Sequence, residues 1–375
     1  MRTKLLSYAA ACMLAAGLTA CSDAGGPLDD GGDAGSGNGP ARVGVIMPDR
    51  TTTRWAGEDS KYLTAAFGQA RIPVDIQNAE GDRRRFVRIG RAMVDSGVKV
   101  LIIANIDSAS GKEVLDLARK KGIPTIDYDR LTLNGGADYY VSFDNVKVGE
   151  LQAYGLIACL KVRKAVDPIV AQLNGSRSDN NASLFKRGYD APLNTKYDAA
   201  QMRKGPEQWV PDWDPDQAAV IFEQMLDQAP GIRGVLAAND GIAGSVIKVL
   251  RKRNLNGVVP VTGQDATLEG LRNILTGEQC MTVYKAIKPQ ALSAAKLAIE
   301  LFNGGKPIIP DKLKDPESGA YVPFVKLKPV AITARNINTV VVTDKFVSQA
   351  DLCQGEYLAY CKKHGVGRPV SHSPK

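Results

Sequence analysis

Short apolar runs, each ending on an amide, a carboxylate, a guanidinium or an ammonium, alternate with helical patterns along most of this chain. No other feature constrains the fold as much. Runs rich in Val and Ile with no polar alternation are buried on both faces, which calls for a parallel sheet covered by helices. Arg42–Pro48, Ile72–Ile76, Val98–Ile103, Ile123–Asp127 and Tyr139–Phe143 read this way. Tyr62, Leu63, Ala66 and Phe67 keep helical spacing between the first two, as do Phe86, Val87, Ile89, Met93 and Val94 between the next two. Residues 109–121 supply a third helix. After Asp144-Asn145 the rhythm restarts: strands at 168–173, near 197–202, at 234–238 and at 258–262, with helices at 148–159, through Leu184 and Phe185, at 216–226 and from Asn239 to Leu250. Two successive α/β lobes with doubly wound parallel sheets are predicted, in keeping with 375 residues being too many for one ordinary core. Later segments look like return visits. Cys280–Tyr284 with the helix Pro289–Phe302 is expected in the first lobe, and Phe324–Ala334 and Thr339–Thr343 in the second. The expected partition is 41–143 with 282–305, then 144–281 with 306–361, joined by a multi-strand hinge and followed by a tail at 362–375.

In an open parallel sheet, ligands bind in the crevice at the carboxyl ends of the strands. What stands at those ends therefore matters. Thr125-Ile126-Asp127-Tyr128-Asp129-Arg130 places a carboxylate beside a guanidinium. The other strand ends carry Arg54 and Trp55, Asn174, Asn180 and Asn181, Asn239 and Asp240, Gln264 and Asp265, and Lys285. Planar amides, carboxylates and cations together can satisfy both the donor and the acceptor side of several hydroxyls. Each residue also has a plainer reading. Asp129 with Arg130 can be a solvated strand-end ion pair, and Asn180, Asn239 and Asp265 suit helix N-caps. Trp55 directly follows a strand end and can offer an aromatic face to the C–H face of a sugar ring. Trp213 on its loop is a second candidate, and Trp209 suits core or rim.

Several function classes lose ground on composition. The two histidines, His364 and His372, both lie near the C-terminus, which leaves the body without His acid–base or metal chemistry. No Cys-x-x-Cys is present, so zinc and redox work are not expected. The first strand runs into Met47-Pro48-Asp49-Arg50 and lacks Gly-x-Gly-x-x-Gly, and neither a Walker A nor a Gly-x-Ser-x-Gly occurs. No catalytic residue, cofactor or metal is assigned, and the chain is not expected to be an enzyme. The formal charge of +8 is scattered, and Arg83-Arg84-Arg85 has no interleaved aromatics, so no nucleic-acid partner is expected. Cys353 and Cys361 frame a short helix-like stretch and can close a small disulfide loop, whereas Cys159 in its apolar helix is expected as a buried thiol.

At the N-terminus, Arg2 and Lys4 precede an uncharged apolar run from Leu5 to Leu18, the layout of a secretory signal at 1–20. Leu18-Thr19-Ala20-Cys21 resembles the lipobox of bacterial lipoproteins, which implies lipidation of Cys21. A lipid there would anchor an exported protein to the outer face of the cytoplasmic membrane, and plain cleavage near Ala20 would leave it periplasmic. Residues 21–40, rich in Gly, Asp, Ala and Ser, read as a flexible tether.

From Arg42 to Cys353 the chain resembles the sugar-binding proteins of bacterial ABC importers, in particular the D-xylose-binding group with the type I periplasmic-binding fold. The carrying motifs are Arg54-Trp55, Ala79–Asp82, Ile-Asp-Tyr-Asp-Arg at 126–130, and Ser-Phe-Asp-Asn with Val-Gly-Glu-Leu-Gln through 152. Asn-Gly-Ser and Asp-Asn-Asn-Ala at 174–182, Ala-Ala-Asn-Asp-Gly at 237–241, Gly-Gln-Asp-Ala at 263–266 and Thr-Val-Tyr-Lys at 282–285 continue them. The resemblance implies that Arg54, Asp129, Arg130, Asn174, Asn239, Asp265 and Lys285 hydrogen-bond a monosaccharide, xylose first, with Trp55 and Trp213 stacking on it. It also implies lobes that close on the sugar and a permease partner. A sugar receptor feeding a sensor kinase or chemoreceptor would share this site. The chain departs from the family at Ala286, at Thr51–Thr53 and after Cys353.

Overall fold

The computed structural model describes residues 41–368. The expected signal, the tether and Cys21 lie outside those residues, as does the end of the tail. Twelve strands occur among the described residues: β1 (Val43–Met47), β2 (Val74–Asn78), β3 (Val100–Ile103), β4 (Thr125–Tyr128), β5 (Tyr139–Phe143), β6 (Ile169–Asn174), β7 (Arg203–Trp209), β8 (Ile232–Ala237), β9 (Thr282–Tyr284), β10 (Lys312–Lys314), β11 (Tyr321–Leu327) and β12 (Val330–Ile332). They form two α/β lobes, as the alternation predicts.

The first sheet has the order β10-β11-β5-β4-β3-β1-β2, parallel throughout except for the β10–β11 pair. β1, β3 and β4 are buried on both faces, which is why their sequences are unbroken apolar runs. The second sheet is built on β7-β6-β8. Isolated parallel bridges, Val235 to Val261 and Thr262 to Met281, lead from it toward the antiparallel pair β9–β12. The expected strand at 258–262 is thus reduced to single bridges.

The return segments differ from the expected partition. β11 lies beside β5 in the first sheet, not in the second lobe. Its apolar residues explain the placement: Val322 and Phe324 bury against Leu131 and Tyr140, and the Phe324 and Tyr140 rings stack with centroids 4.7 Å apart. β9 stays with the second lobe, and only the helix Ile287–Phe302 crosses back, where Ala291, Ala294, Ala295 and Ala298 pack with Leu63 and Phe67. Thr339–Thr343, expected to pair in the second lobe, falls instead in the π-helical turn Asn338–Val342, whose Val341 joins a second-lobe core. The chain therefore passes between lobes three times: at Asp144, between Tyr284 and Ile287, and between Leu327 and Val330.

Two disulfides lie in the second lobe. Cys353 pairs with Cys361, as the spacing allows. Cys159 is not a free buried thiol; it pairs with Cys280 across 121 residues of sequence. The crossing of helix Asn145–Val162 by the segment entering β9 brings their Cα atoms to 6.4 Å, within disulfide reach. The helix Tyr357–His364 carries Cys361 and takes in the first residues of the expected tail. Among the described residues no helix is long and apolar enough to cross a membrane.

Candidate functional site

The carboxyl ends of both sheets face one another across a cleft that narrows to a small cavity lined by side chains of both lobes. Arg54 enters it from the first lobe. The π-helical turn Trp55–Asp59 folds Asp59 back beneath the guanidinium, which donates from Nε and Nη2 to its two carboxylate oxygens at 2.8 Å each. Arg54 Nη2 also donates to Gln290 Oε1 (2.7 Å), and Nη1 donates to Asp129 Oδ2 (2.9 Å). A guanidinium has five N–H donors and the protein takes four, which leaves one on Nη1.

Asp129 is the centre of the network. Its Oδ2 accepts from Arg54 and from Gln290 Nε2 (3.2 Å), its Oδ1 accepts from Asn181 Nδ2 (3.0 Å), and Lys285 Nζ stands 3.6 Å away. Burial alone would push this carboxyl up, but Lys285, Arg54 and Arg130 together hold it well below the usual carboxylate range. Its backbone has φ 66°, a left-handed conformation that Asp tolerates better than most residues. That geometry is fixed by its own carbonyl, which accepts from Tyr140 Oη (2.9 Å) and Ser142 Oγ (2.7 Å). Trp213 (φ 59°) and Asp265 (φ 101°) are left-handed as well. Such strain concentrates where function needs a side chain aimed in one direction.

Arg130 donates from Nη1 to Asn105 O (3.0 Å) and lies with Nε 2.9 Å from Asp179 Oδ2 of the second lobe. That approach is ionic and poorly aligned, so Nε–H has no hydrogen-bond acceptor. Asp179 also accepts from Trp213 Nε1 (3.2 Å) and caps the helix Asn180–Asp198. Burial raises the Asp179 carboxyl, opposed chiefly by Arg130. Trp213 meets Phe185 edge to face at 6.4 Å, and its ring lies directly over Gly175, where any Cβ would collide with it. Trp55 is 2% exposed, with the Arg54 guanidinium 4.5 Å and the Arg130 guanidinium 5.5 Å from its ring centroid.

Of the nine residues expected to contact a ligand, eight line this cavity: Arg54, Trp55, Asp129, Arg130, Trp213, Asn239, Asp265 and Lys285. Asn174 does not. Its amide donates to Glu207 Oε1 (3.1 Å) and accepts from Tyr189 Oη, so both ends are satisfied inside the second lobe. Asn239 serves two readings at once: Oδ1 caps the helix Asp240–Lys252 at Ile242 N (2.9 Å) while Nδ2 has no partner among the described residues. Asp265 is not a cap, since Thr267 holds that position for Leu268–Thr276. Thr52, Asp179, Asn181, Phe185 and Gln264 complete the lining. Asn181 and Gln264 stood among the polar strand ends. The cap expected at Asn180 is Asp179 instead, which stood only in the Asp-Asn-Asn-Ala motif, and Phe185 carried only a helical signal.

The chemistry of the lining is specific. Three cations, Arg54, Arg130 and Lys285, face three carboxylates, Asp129, Asp179 and Asp265, each ion within 4 Å of an opposite charge. The set is neutral and does not call for an ionic solute. Trp55 Nε1, a donor, and Gln264 Oε1, an acceptor, are buried without partners, and both residues line the cavity. A buried donor and a buried acceptor left open suit a ligand that supplies both, as hydroxyls do. Among the described residues no group of His, Cys, Asp and Glu is arranged to hold a metal.

Comparison with known proteins agrees with this architecture. Residues 43–306 match the periplasmic binding protein domain family. The chain is 34% identical over 321 residues to the D-xylose-binding periplasmic protein of Escherichia coli, covering 83% of this chain and 92% of that protein. It is 30% identical to a multiple sugar-binding periplasmic receptor of Rhizobium radiobacter, over 80% of this chain and 89% of the receptor. An ABC transporter solute-binding protein from Clostridium phytofermentans with bound β-D-glucose superimposes with a TM-score of 0.76 at 27% identity, covering 83% of this chain and 99% of the other. Sequence and fold together place the chain in the periplasmic binding protein family.

Proposed function

We propose that this protein is an exported receptor that captures a neutral sugar between its lobes and delivers it to an ABC importer. The observation that carries this reading is the charge-balanced cleft: three buried cation–carboxylate partners, aromatic side chains, and an open donor and acceptor. A polyol satisfies such a site by exchanging hydrogen bonds without adding charge. A wrong epimer leaves one group unpaired, at a cost of about 1–3 kcal/mol. Arg54, Trp55, Asp129 and Arg130 reach the ligand from the first lobe, and Trp213, Asn239, Asp265 and Lys285 from the second. Only the closed form offers both sets, so the sugar draws the lobes together by differential affinity.

Xylose is the first candidate, supported by the similarity to D-xylose-binding proteins, and glucose is the second. Lipidation of Cys21 would tether the receptor beside its permease. Calorimetric titration with xylose, glucose, ribose, galactose and an amino-acid panel tests the assignment. Tight binding of an amino acid with no response to any sugar would overturn it. Similarity to a sugar receptor supports a second use of the same site, feeding a sensor instead of a permease, and radiolabelled sugar uptake in a strain lacking the protein separates the two. A Cys21→Ala variant that still labels with a fatty-acid analogue would refute the anchor.

A further inference from the structure

The cleft does not end at the inner cavity. It continues outward into a wider vestibule that opens to solvent and shares Thr52, Arg54, Trp213, Asn239 and Asp265 with the inner site. Both lobes wall it. Thr51, Thr53 and Glu58 stand on one side and Ser245, Lys248 and Glu269 on the other, with Ile287, Phe346 and Val347 adding apolar surface. Ser245 is only 5% exposed, yet its hydroxyl makes no hydrogen bond among the described residues. The hydroxyls of Thr51 and Thr53 are exposed and bond to no described residue either. Hydroxyls free along a continuous channel can meet a second polyhydroxylated unit. The walls keep both signs of charge, and Gly241 contributes no side chain: a Cβ there meets nothing closer than 3.5 Å.

We propose that the site takes a disaccharide, with one ring in the inner cavity and the second glycosyl unit in the vestibule. This rests on the sugar reading above and deepens it. The vestibule's surface is mainly apolar, which suits the C–H faces of a second ring, and the shared residues make it continuous with the inner cavity. The linkage leaves through the opening bounded by Thr52, Trp213 and Asn239.

The test is calorimetric titration of the whole protein with xylose, glucose, xylobiose and cellobiose, repeated on Lys248→Trp, whose ring would enter the vestibule from an exposed residue outside the inner lining. The expected result is that at least one disaccharide binds within tenfold of its monosaccharide or tighter. Lys248→Trp should then weaken that disaccharide tenfold or more and leave the monosaccharide within threefold. Monosaccharide binding with both disaccharides more than tenfold weaker overturns the inference and leaves the sugar reading standing. Silence toward all four sugars removes the sugar reading and this inference with it. Equal weakening of both ligands by Lys248→Trp overturns the placement of the second ring. Thr51→Trp, on the opposite wall, repeats the test should Lys248→Trp fail to fold, with matching thermal midpoints as the control.

Discussion

Asp129→Asn isolates the electrostatic centre of the cleft. Asn accepts left-handed backbone angles about as readily as Asp, so the φ of 66° survives and the substitution removes charge more than shape. The oxygens of Asp129 receive Arg54, Gln290 and Asn181 and lie near Lys285. An amide offers one acceptor and turns two donors toward a ring of donors. Breaking one side of a buried ion pair costs about 3–5 kcal/mol. Arg54 keeps its two bonds to Asp59, and Lys285 keeps Asp265 at 3.7 Å, so the loss falls at the lower end, about 3 kcal/mol. That is a large share of a total of roughly 5–15 kcal/mol. Urea unfolding followed by circular dichroism measures it. The pH dependence adds a sharper check. The folded carboxyl is held below its ordinary range, so its contribution is present above the unfolded value near 3.9 and fades only as pH falls through the depressed folded one. The difference between wild type and Asp129→Asn should therefore be flat from pH 8 to pH 5. A loss under about 1 kcal/mol, or a difference that shrinks within that window, would refute the claim that Asp129 carries the charge network.

Other consequences follow from separate parts of the structure. Gly175→Ala drives a methyl into the Trp213 ring; it should cost about 1–3 kcal/mol, shift the tryptophan emission and weaken sugar binding, and an unchanged spectrum would count against the packing. Burial pushes Asp127 and Asp240 up to about 7, against hydrogen bonds from Thr132 and Gln279 respectively. Between the unfolded value near 3.9 and that raised value the folded state binds the extra protons, so stability should rise as pH falls from 7.5 to 5, by up to about 1.4 kcal/mol per pH unit for each group. Urea midpoints at pH 5, 6 and 7.5 check the sign, and a fall toward pH 5 would reverse the argument. The Cys159–Cys280 disulfide closes a far longer loop than Cys353–Cys361, so replacing the first pair by Ala should cost about 4–5 kcal/mol and the second about 2–3 on loop-entropy grounds. Equal losses in thermal or urea unfolding would contradict that ordering.

The sequence carried the alternation of buried strands and helices, and with it two sheets whose carboxyl ends meet, because a parallel strand buried on both faces leaves little choice of residue. It carried Asp129 for a related reason: a polar residue that directly follows such a strand has only the crevice to face, and Lys285, which follows β9 of the antiparallel pair, ends at the same crevice. Asn174 failed that logic. The last residue of β6 sits at the right end of the strand, but Tyr189 and Glu207 lie close enough to claim both ends of its amide. Asp179 escaped notice because its capping of Asn181 is a sufficient reason for an aspartate there, and nothing local reveals that Arg130 and Trp213 share its other oxygen. The assignment of β11 to the first lobe and the pairing of Cys159 with Cys280 depend on where the chain returns after crossing the hinge. That is decided by packing between segments more than a hundred residues apart, to which periodicity is blind.

The same distinction separates what shapes the cleft from what fills it. Arg54 would be a poor sensor of a hydroxyl if it were free to turn, since an unrestrained guanidinium loses side-chain entropy whenever it binds. Asp59, Gln290 and Asp129 take that cost during folding by fixing four of its five donors, and the fifth is thereby aimed before any ligand arrives. Asp59 and Gln290 do so without lining the cavity themselves. Selectivity in such a cleft belongs as much to the residues behind the contact surface as to those on it. Substitution of Gln290, which donates to Asp129 and accepts from Arg54, should therefore reach the ligand through both of its neighbours at once.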